Sequence, residues 1–326
     1  MKTRVAVLYG GRSGEHEVSL ASAESVIAAM APARYEVTRI LIGKDGRWQP
    51  RCLWPEPGAN PGIDVVFPVL HGTFGEDGTV QGLLDLADLP YVGAGVLGSA
   101  AAMDKDFTKR LCRERGLPVV ESIVLSSDRL DADEACRRFG FPMFVKPANL
   151  GSSVGISKPT DRDGLEAALA LAARFDRKII VERAIAGREL ECSVLGNREP
   201  VVSQPCEILP SREFYDYEDK YLLGQARTLM PAPLDPVQSD RVRRLAVECF
   251  LAVECEGMAR VDFLLETATG QVYISEINTI PGFTAISMYP KMWAHCGISY
   301  PELIDRLIGL ALERHQARRR LRYSRE

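Results

Sequence analysis

Two acidic residues stand on segments that the sequence predicts to pair as a β-hairpin. The first segment runs from Arg260 to Glu266, a turn follows at 267–270, and the second segment runs from Gln271 to Asn278. Pairing about this turn places Asp262 opposite Glu276, and directly opposed residues have Cβ atoms about 5 Å apart. Two carboxylates at that spacing predict a site for a shared cation.

Side chains alternate between the two faces of a strand, so this hairpin has a polar and an apolar face. The polar face is predicted to carry Arg260, Asp262, Glu276 and Asn278, and the apolar face Val261, Phe263, Leu265, Tyr273 and Ile277. Two carboxylates and an amide oxygen are hard ligands, which suit Mg²⁺ bound to phosphates. The alternative is an exposed hairpin with a hydrated face. Against it, opposed like charges destabilise a strand pair unless something neutralises them.

A lysine and a glycine-serine loop form a second candidate site. Lys146 ends an apolar run and precedes Pro147 and the loop at 149–155. Such a loop can present backbone N–H groups to phosphate oxygens while the lysine adds a point charge. A plain surface loop is the alternative, because glycine and serine mark loops generally. Neither this loop nor the glycines near residue 10 match the standard phosphate-loop or dinucleotide-binding patterns.

Several charged residues have two interpretations when each is taken alone. Lys105 is either a phosphate ligand or a solvated helix charge. Glu182 and Glu189 are either nucleotide ligands or ordinary charges at strand ends. Glu15 lies between a strand and a helix, where an acid also suits the helix dipole, and His71 ends an apolar strand. Their roles depend on which other residues the fold brings near them.

The elements that must position these groups predict three domains, at 1–100, 101–190 and 191–326. Alternating strands and helices in the first predict a small parallel α/β domain, with a short last strand at 90–95. A helix predicted over 97–115 opens the second, an α+β unit that carries the glycine-serine loop. The third holds the hairpin and a closing helix.

Composition limits the class of protein. The chain has 326 residues, 46% hydrophobic and 26% charged, with a formal charge of −4, which predicts a globular protein that does not bind nucleic acid. Its eight cysteines are scattered and predict free thiols in a reducing compartment. No apolar run approaches the roughly 20 residues of a membrane span, so we expect a cytoplasmic protein without membrane insertion. The arginine-rich run 314–325 predicts a solvated, fraying helix end, with nucleic-acid binding as the alternative.

Six short motifs, in this order, resemble those of D-alanine–D-alanine ligases, and the likeness extends from residue 4 to about 315. The motifs are GGRSGEHEVS at 10–19, HGTFGEDG at 71–78, AAMDK at 101–105, VKP at 145–147, GSSVG at 151–155 and EINTIPGFT at 276–284. The resemblance implies mixed α/β and α+β architecture, namely an ATP-grasp fold preceded by a small parallel α/β N-terminal domain. It also implies a homodimer.

The resemblance further implies a role for each site residue. ATP would be bound by Lys105, Lys146, Ser153, Glu182, Ala184, Glu189, Lys220 and Leu264. Two Mg²⁺ ions, with Mn²⁺ as an alternative, would be bound by Asp262, Glu276 and Asn278. Substrate would be bound by Glu15, Ser19, His71, Gly282, Ser287 and Met288, with Glu15 and His71 at the first D-alanine and Ser287 and Met288 at the second. Arg260 and the Gly282 N–H would stabilise an oxyanion, and Glu15, Ser152 and Tyr221 would form a hydrogen-bonded triad.

The implied reaction is ATP-dependent joining of two D-alanine molecules through an acyl phosphate. Another ATP-grasp ligase would share the lysines and the hairpin but would not need Glu15, Ser152 and Tyr221 together. A nucleotide-binding regulatory module without turnover would have lost a metal ligand or Arg260, and both are present. An ester-forming D-alanine–D-lactate ligase would be expected to carry a histidine within 214–221, where this sequence has none.

Overall fold

The computed structural model describes residues 1–152, 154–209 and 227–323, and strands within these ranges form three sheets. The sheets follow one another along the chain, whereas the last helix returns to the first sheet. The division into domains at 100 and 190 stays a prediction. No helix in the described ranges is both long and apolar enough to cross a membrane.

The first sheet has the strand order β3-β2-β1-β4. Its strands are β1 (Thr3–Gly10), β2 (Tyr35–Ile42), β3 (Trp48–Gln49) and β4 (Val65–Val69). As the continuous apolar runs predict, β1 pairs in parallel with β2 and β4, and β3 adds an antiparallel edge. Helix α1 (His16–Ala29) packs on one face of this sheet and α2 (Thr79–Leu86) on the other.

The short strand predicted at 90–95 is wrong in extent. Only Tyr91 forms a β-bridge, a parallel one with Val66. The chain then turns at Gly93, whose φ is +95°, a conformation that favours glycine. Backbone packing is also close there, since a Cβ on Gly257 would lie 3.2 Å from the Gly93 Cα atom. The strand predicted at 90–95 is therefore limited to the bridge at Tyr91.

The single helix predicted over 97–115 is also wrong, because two helices meet at Asp104. They are α3 (Val96–Met103) and α4 (Lys105–Glu114). Asp104 has an extended backbone, and its carboxylate accepts hydrogen bonds from the N–H groups of Asp106 and Phe107 at 3.1 and 3.0 Å. This is an N-cap, which satisfies donors at the start of a helix. The break places Lys105 at the first turn of α4.

The second sheet is antiparallel, with the strand order β5-β7-β6. Its strands are β5 (Ser122–Ser126), β6 (Met143–Pro147) and β7 (Lys178–Arg183). Helices α5 (Ala132–Phe139) and α6 (Arg162–Ala172) cover its apolar face and close a small core. The opposite face is left to form one wall of a cleft.

The third sheet has the order β11-β10-β8-β12-β13, with β9 paired to β8. Its strands are β8 (Gly187–Gly196), β9 (Val201–Val202), β10 (Cys206–Leu209), β11 (Arg227–Leu229), β12 (Gly257–Glu266) and β13 (Val272–Asn278). Helix α7 (Pro236–Ala252) packs beneath it. Helices α8 (Met288–His295) and α9 (Tyr300–Arg319) follow, and together these elements confirm the expected mixture of α/β and α+β architecture.

The register of the predicted hairpin is confirmed at its functional end. Asp262 pairs with Glu276. This pair depends on a bulge between Asp262 and Phe263, because continuous pairing from Phe263 and Ile274 would place Ser275 opposite Asp262. The same bulge makes the assignment of Tyr273 to the apolar face wrong. Tyr273 instead lies opposite Leu264, while its neighbours Val272 and Ile274 enter the core.

The solvated helix end predicted from residue 314 is wrong for its first turns. Arg314 is only 7% exposed, and its guanidinium lies 4.3 Å from the Tyr91 ring centre. The guanidinium donates hydrogen bonds to the carbonyl oxygens of Gly93 and Tyr91, the second at 2.9 Å. His315 lies 2.8 Å from the Asp88 carboxylate, and Arg318 pairs with Asp85. This basic run fastens α9 to the first sheet.

We predict that Arg314→Met lowers the free energy of unfolding by about 2 to 4 kcal/mol, because two buried carbonyl groups lose charged donors. The midpoint of urea unfolding measures this loss. The matched control is Arg306→Met on the same helix, whose pair with Glu302 is about half exposed and is expected to contribute less than about 0.5 kcal/mol. Equal losses in the two variants would contradict a structural role for Arg314.

Candidate active site

Three neighbouring strands of the third sheet present carboxylates at the same level. Asp262 on β12 is paired in register with Glu191 on β8 and with Glu276 on β13. Asn278 lies two residues beyond Glu276, and its Nδ2 donates to Asp262 Oδ2 at 3.2 Å. Like charges in directly opposed positions repel, so this row of carboxylates requires nearby cations.

Arg260 and Lys105 supply positive charge to the row. Arg260 donates to both carboxylate oxygens of Asp262, at 2.7 and 2.6 Å, and its Nε lies 3.3 Å from Glu191 Oε1. Burial would lower the pKa of Arg260, but Asp262 and Glu191 outweigh it and raise that pKa well above its usual value. Lys105 Nζ lies 3.4 Å from Glu276 Oε2 and donates to the Leu150 carbonyl at 2.7 Å. Lys105 therefore links the hairpin to the glycine-serine loop.

A cleft between the second and third sheets brings together four of the six predicted ATP ligands that lie in the described ranges, namely Lys146, Glu182, Glu189 and Leu264. Its walls include Phe144, Lys146, Lys158, Glu182, Arg183, Ile185, Glu189, Asp262, Leu264 and Glu276. Ala184 is not among the residues that line this cleft, although its neighbours Arg183 and Ile185 are. Lys146 Nζ lies 2.7 Å from Glu182 Oε2, so this lysine is held by a protein carboxylate at the edge of the cleft.

A second lysine, which the sequence analysis did not select, lies behind Glu182. Lys109 on α4 is 1% exposed, and its Nζ lies 2.8 Å from Glu182 Oε1. Burial would raise the pKa of Glu182, but Lys109 and Lys146 outweigh it and hold the pKa at about 2. Burial lowers the pKa of Lys109. Glu182 is thus a buried anion between two cations.

A second cleft adjoins the first at the row of carboxylates. Of the predicted residues it is lined by Glu15, His71, Ser152, Arg260, Glu276, Asn278, Gly282, Ser287 and Met288, and it also includes Glu76 and Glu191. Ser152 donates a hydrogen bond to the Glu15 carboxylate across 137 residues of sequence. Ser152 has a φ of +54°, an uncommon conformation for a residue other than glycine. Two of the three predicted triad residues are therefore in contact.

Ser19, which was predicted to contact substrate, lies behind the cleft wall instead. It is 0% exposed and is not among the residues that line the cleft. Its Oγ accepts from the Gly10 N–H at 2.7 Å and donates to the Val69 carbonyl. Ser19 thus joins the ends of β1 and β4, and its role in substrate binding stays a prediction.

His71 and Glu76 connect the loop after β4 to the loop after β13. His71 Nδ1 lies 2.9 Å from the Ile280 carbonyl oxygen, and Glu76 Oε1 accepts from the Ile280 N–H at 2.9 Å. The other oxygen of Glu76 accepts from the Gly72 N–H at 2.7 Å. Burial lowers the pKa of His71. Burial and repulsion from Glu15 raise the pKa of Glu76, whereas the hydrogen bonds from the Gly72 and Ile280 N–H groups favour its ionised form.

Gly282 is required by close packing against Ser287. A Cβ at position 282 would lie 2.6 Å from Ser287 Oγ. That oxygen accepts from the Thr284 N–H at 3.0 Å and contacts Thr284 Oγ1 at 2.8 Å, so the turn itself holds it. A larger residue at 282 would displace this turn.

Three predicted residues, Ser153, Lys220 and Tyr221, lie outside the described ranges. Three others were missed by the sequence analysis: Glu76, Lys109 and Glu191. Glu191 could have been selected from the sequence, because it lies two residues after Glu189, and residues two apart on a strand share one face. Glu76 lies inside one of the motifs. Lys109 had no signal, since its burial depends on contacts with a distant strand.

The donor set at the hairpin end fits a divalent cation such as Mg²⁺. It comprises the opposed carboxylates of Asp262 and Glu276 with the amide of Asn278 beside them. Within 1–152, 154–209 and 227–323, no group of three His, Cys, Asp or Glu side chains is placed to hold a metal ion. The set found here has two acidic members and an amide.

Models of one family match most of the chain. The D-ala D-ala ligase C-terminus model matches residues 111–309, and the D-ala D-ala ligase N-terminus model matches residues 4–61 and 53–94. These spans contain the residues described in both clefts.

Individual relatives match over nearly the whole length. A D-alanine–D-alanine ligase of Solibacter usitatus is 65% identical over 325 residues, covering 100% of both chains. One of Thermoanaerobacter pseudethanolicus is 48% identical, covering 96% of this chain and 98% of the relative. The solved D-alanine-D-alanine ligase of Coxiella burnetii superposes with a TM-score of 0.88 at 38% identity, covering 98% and 96%. The VanG D-Ala:D-Ser ligase of Enterococcus faecalis gives 0.87 at 35%, covering 95% and 100%.

We predict that Glu182→Gln lowers the free energy of unfolding at pH 7 by about 3 to 5 kcal/mol, because it leaves Lys109 buried without a counter-charge. The depressed pKa of Glu182 stabilises the fold above the ordinary carboxylate pKa of 4.5, and this contribution is lost as the pH falls toward 2. The difference from the wild type should shrink over that range in urea titrations. Adding Lys109→Met should recover part of the loss.

Glu166→Gln is the matched control for Glu182→Gln. Glu166 pairs with Arg162 at 3.1 Å, and both side chains are more than half exposed. We expect its substitution to change stability by less than about 0.5 kcal/mol. A cost for Glu182→Gln that stays constant between pH 7 and pH 3 would argue against the charged pair as its source.

Proposed function

The chain belongs to the D-alanine–D-alanine ligase family, an ATP-dependent enzyme family of peptidoglycan precursor synthesis, and from that premise we propose how its own residues join two D-alanine molecules. The observation that carries the proposal is the junction of the two clefts. Glu191 and Glu276 line both of them, so a nucleotide in one cleft lies next to a substrate in the other. Phosphoryl transfer requires such direct adjacency.

We propose that ATP occupies the cleft between the second and third sheets. Lys105 and Lys146 would bind its phosphates, Glu182 and Glu189 its adenine and ribose, and Leu264 would line the adenine pocket. Lys220 and Ser153 would contribute from outside the described ranges. Asp262, Glu276 and Asn278 would hold two Mg²⁺ ions, or Mn²⁺ in their place, which supply positive charge against the phosphoryl oxygens.

The first D-alanine would bind in the adjoining cleft with its ammonium group against Glu15. Ser152 donates to Glu15, so this carboxylate is already oriented before substrate binds. Tyr221 would complete the triad. His71 would lie near the carboxylate that becomes phosphorylated, although in this structure its ring nitrogens bind Ile280 and Ser22. Its influence would therefore pass through the loop after β13.

The reaction would proceed in two steps. The substrate carboxylate first accepts the γ-phosphoryl group of ATP, giving an acyl phosphate and ADP. The neutral amine of the second D-alanine, bound near Ser287 and Met288, then attacks the acyl carbon and phosphate leaves. Arg260 and the Gly282 N–H would stabilise the oxyanion of the tetrahedral intermediate, and one such donor is typically worth about 10²- to 10³-fold in rate.

Two further properties belong to the proposal. The family likeness supports a homodimer. The absence of any histidine within 214–221 supports an amine rather than the D-lactate hydroxyl as the nucleophile. We also place the reaction in the cytoplasm. The free cysteines of this chain favour a reducing compartment, and ATP is a substrate of the proposed reaction.

The direct test is incubation of the protein with ATP, Mg²⁺ and D-alanine, with phosphate release measured and the product identified by mass. D-Serine and D-lactate are added in separate reactions as competing nucleophiles. We expect one phosphate per D-alanyl-D-alanine and little mixed product at neutral pH. Phosphate release without any dipeptide would overturn the proposed function.

We predict that Asp262→Asn and Glu276→Gln each lower kcat at least about 100-fold at ordinary Mg²⁺, because each removes a charged metal ligand. Circular dichroism should show an intact fold, and raising Mg²⁺ should restore part of the activity. Glu248→Gln is the control, since Glu248 lies on α7 beneath the same sheet, is about half exposed and lines neither cleft. Near-normal turnover in both hairpin variants would exclude the proposed metal site.

A further inference from the structure

The loop after β13 is hydrogen-bonded, through the backbone of Ile280, to the loop that follows β4 of the first sheet. The Ile280 N–H donates to Glu76 Oε1 at 2.9 Å, and the Ile280 carbonyl oxygen lies 2.9 Å from His71 Nδ1. Both partners belong to the segment that follows β4. One residue of the loop therefore has both of its backbone polar groups held by side chains more than 200 positions earlier in the sequence.

A third side chain holds the other end of the same loop. Ser22 on α1 is 0% exposed, and its Oγ accepts from the Phe283 N–H at 3.2 Å. The same Oγ lies 3.0 Å from His71 Nε2. Because a carbonyl oxygen can only accept a hydrogen bond, His71 Nδ1 must be protonated and donate to the Ile280 carbonyl. In the neutral ring Nε2 is then the acceptor, and the Ser22 hydroxyl donates to it.

These three residues, Ser22, His71 and Glu76, form what we term the loop clamp. The clamp bonds to Ile280 and Phe283 and so brackets Pro281 and Gly282. Pro281 adds a fixed φ to the bracketed segment. Because both ends of this segment are bonded to α1 and to the loop after β4, the Gly282 peptide has little freedom to rotate.

We propose that the loop clamp positions the Gly282 N–H for the amide-forming step, and that Ser22 and Glu76 are positioning residues of this reaction. The proposal rests on the proposed function, in which Gly282 stabilises the tetrahedral oxyanion. Such a donor is effective only when its direction is fixed in advance, and a misplacement of about 1 Å can cost 100-fold in rate. The hydrogen bonds of Ser22 run to His71 and Phe283, neither of which is a proposed nucleotide or metal ligand. Substitution of Ser22 therefore isolates the effect of the clamp.

A loosened clamp should act on one step more than on the other. In the proposed reaction, phosphoryl transfer forms the acyl phosphate and ADP beside Asp262 and Glu276, where the two clefts meet. The acyl phosphate then reacts either with the amine, giving dipeptide and phosphate, or with water, giving D-alanine and phosphate. If the amine step slows, a larger fraction of the acyl phosphate leaves the site before it reacts and is hydrolysed in solution, where the Gly282 N–H has no influence. ATP consumption then exceeds dipeptide formation.

The test compares Ser22→Ala with Ser25→Ala, a matched substitution on the same helix. Ser25 donates to the Ala21 carbonyl within α1. We expect Ser22→Ala to lower the rate of dipeptide formation about 10- to 100-fold and to release at least about two phosphates per dipeptide. Hydroxylamine should still trap the acyl phosphate as the hydroxamate. Ser25→Ala should resemble the wild type, with one phosphate per dipeptide.

Glu76→Gln provides a second variant if Ser22→Ala does not fold. Each carboxylate oxygen of Glu76 accepts a hydrogen bond from one backbone N–H group. In the glutamine variant an NH₂ group would replace one of these oxygens, so one hydrogen bond is lost while the size of the side chain is kept. One-to-one coupling in the folded variants, even with a reduced rate, would overturn the positioning role. A wild type that makes no dipeptide would instead overturn the proposed function, which the same measurement reveals separately.

Discussion

The row of carboxylates formed by Glu191, Asp262 and Glu276 is the constraint on which the site depends. Strand register forces these groups to the same level on three adjacent strands, where they repel. Arg260 relieves part of that repulsion from within the row. Further relief comes from Lys105, which reaches the row from α4, and in the proposed mechanism from divalent cations.

This constraint explains why distant parts of the chain meet at the hairpin. The break at Asp104 starts α4 where Lys105 can reach both Glu276 and the Leu150 carbonyl. Four residues later the same helix places Lys109 beneath Glu182. One short helix thus provides cations to the carboxylates of two different sheets. In the proposed mechanism, this helix would hold the adenine and phosphate ends of the ATP site at a fixed spacing.

The sequence was sufficient for the parts of the site that depend on local periodicity. The alternation of polar and apolar residues identified Asp262 and Glu276 as members of one polar face, but regular pairing about the turn would place Ser275 opposite Asp262, and the bulge brings Glu276 there instead. The bulge that moves Tyr273 was not predictable, because it depends on packing beneath the sheet. Ser19 and Arg314 show the same limit. A serine after a glycine turn and an arginine near a chain end have no local feature that reveals complete burial.

The motifs predicted which residues gather in the site, but not how each one acts. His71 was expected at substrate, yet it and Glu76 from the same motif both bond to the backbone of Ile280. Lys146, expected at phosphate, is held by Glu182 at 2.7 Å. Burial would lower the pKa of Lys146, but its acidic neighbours raise it, so the lysine stays charged in the cleft. These pairs keep cations and backbone donors in place before substrate binds. Little reorganisation then remains for the reaction itself, which is the physical basis of electrostatic catalysis.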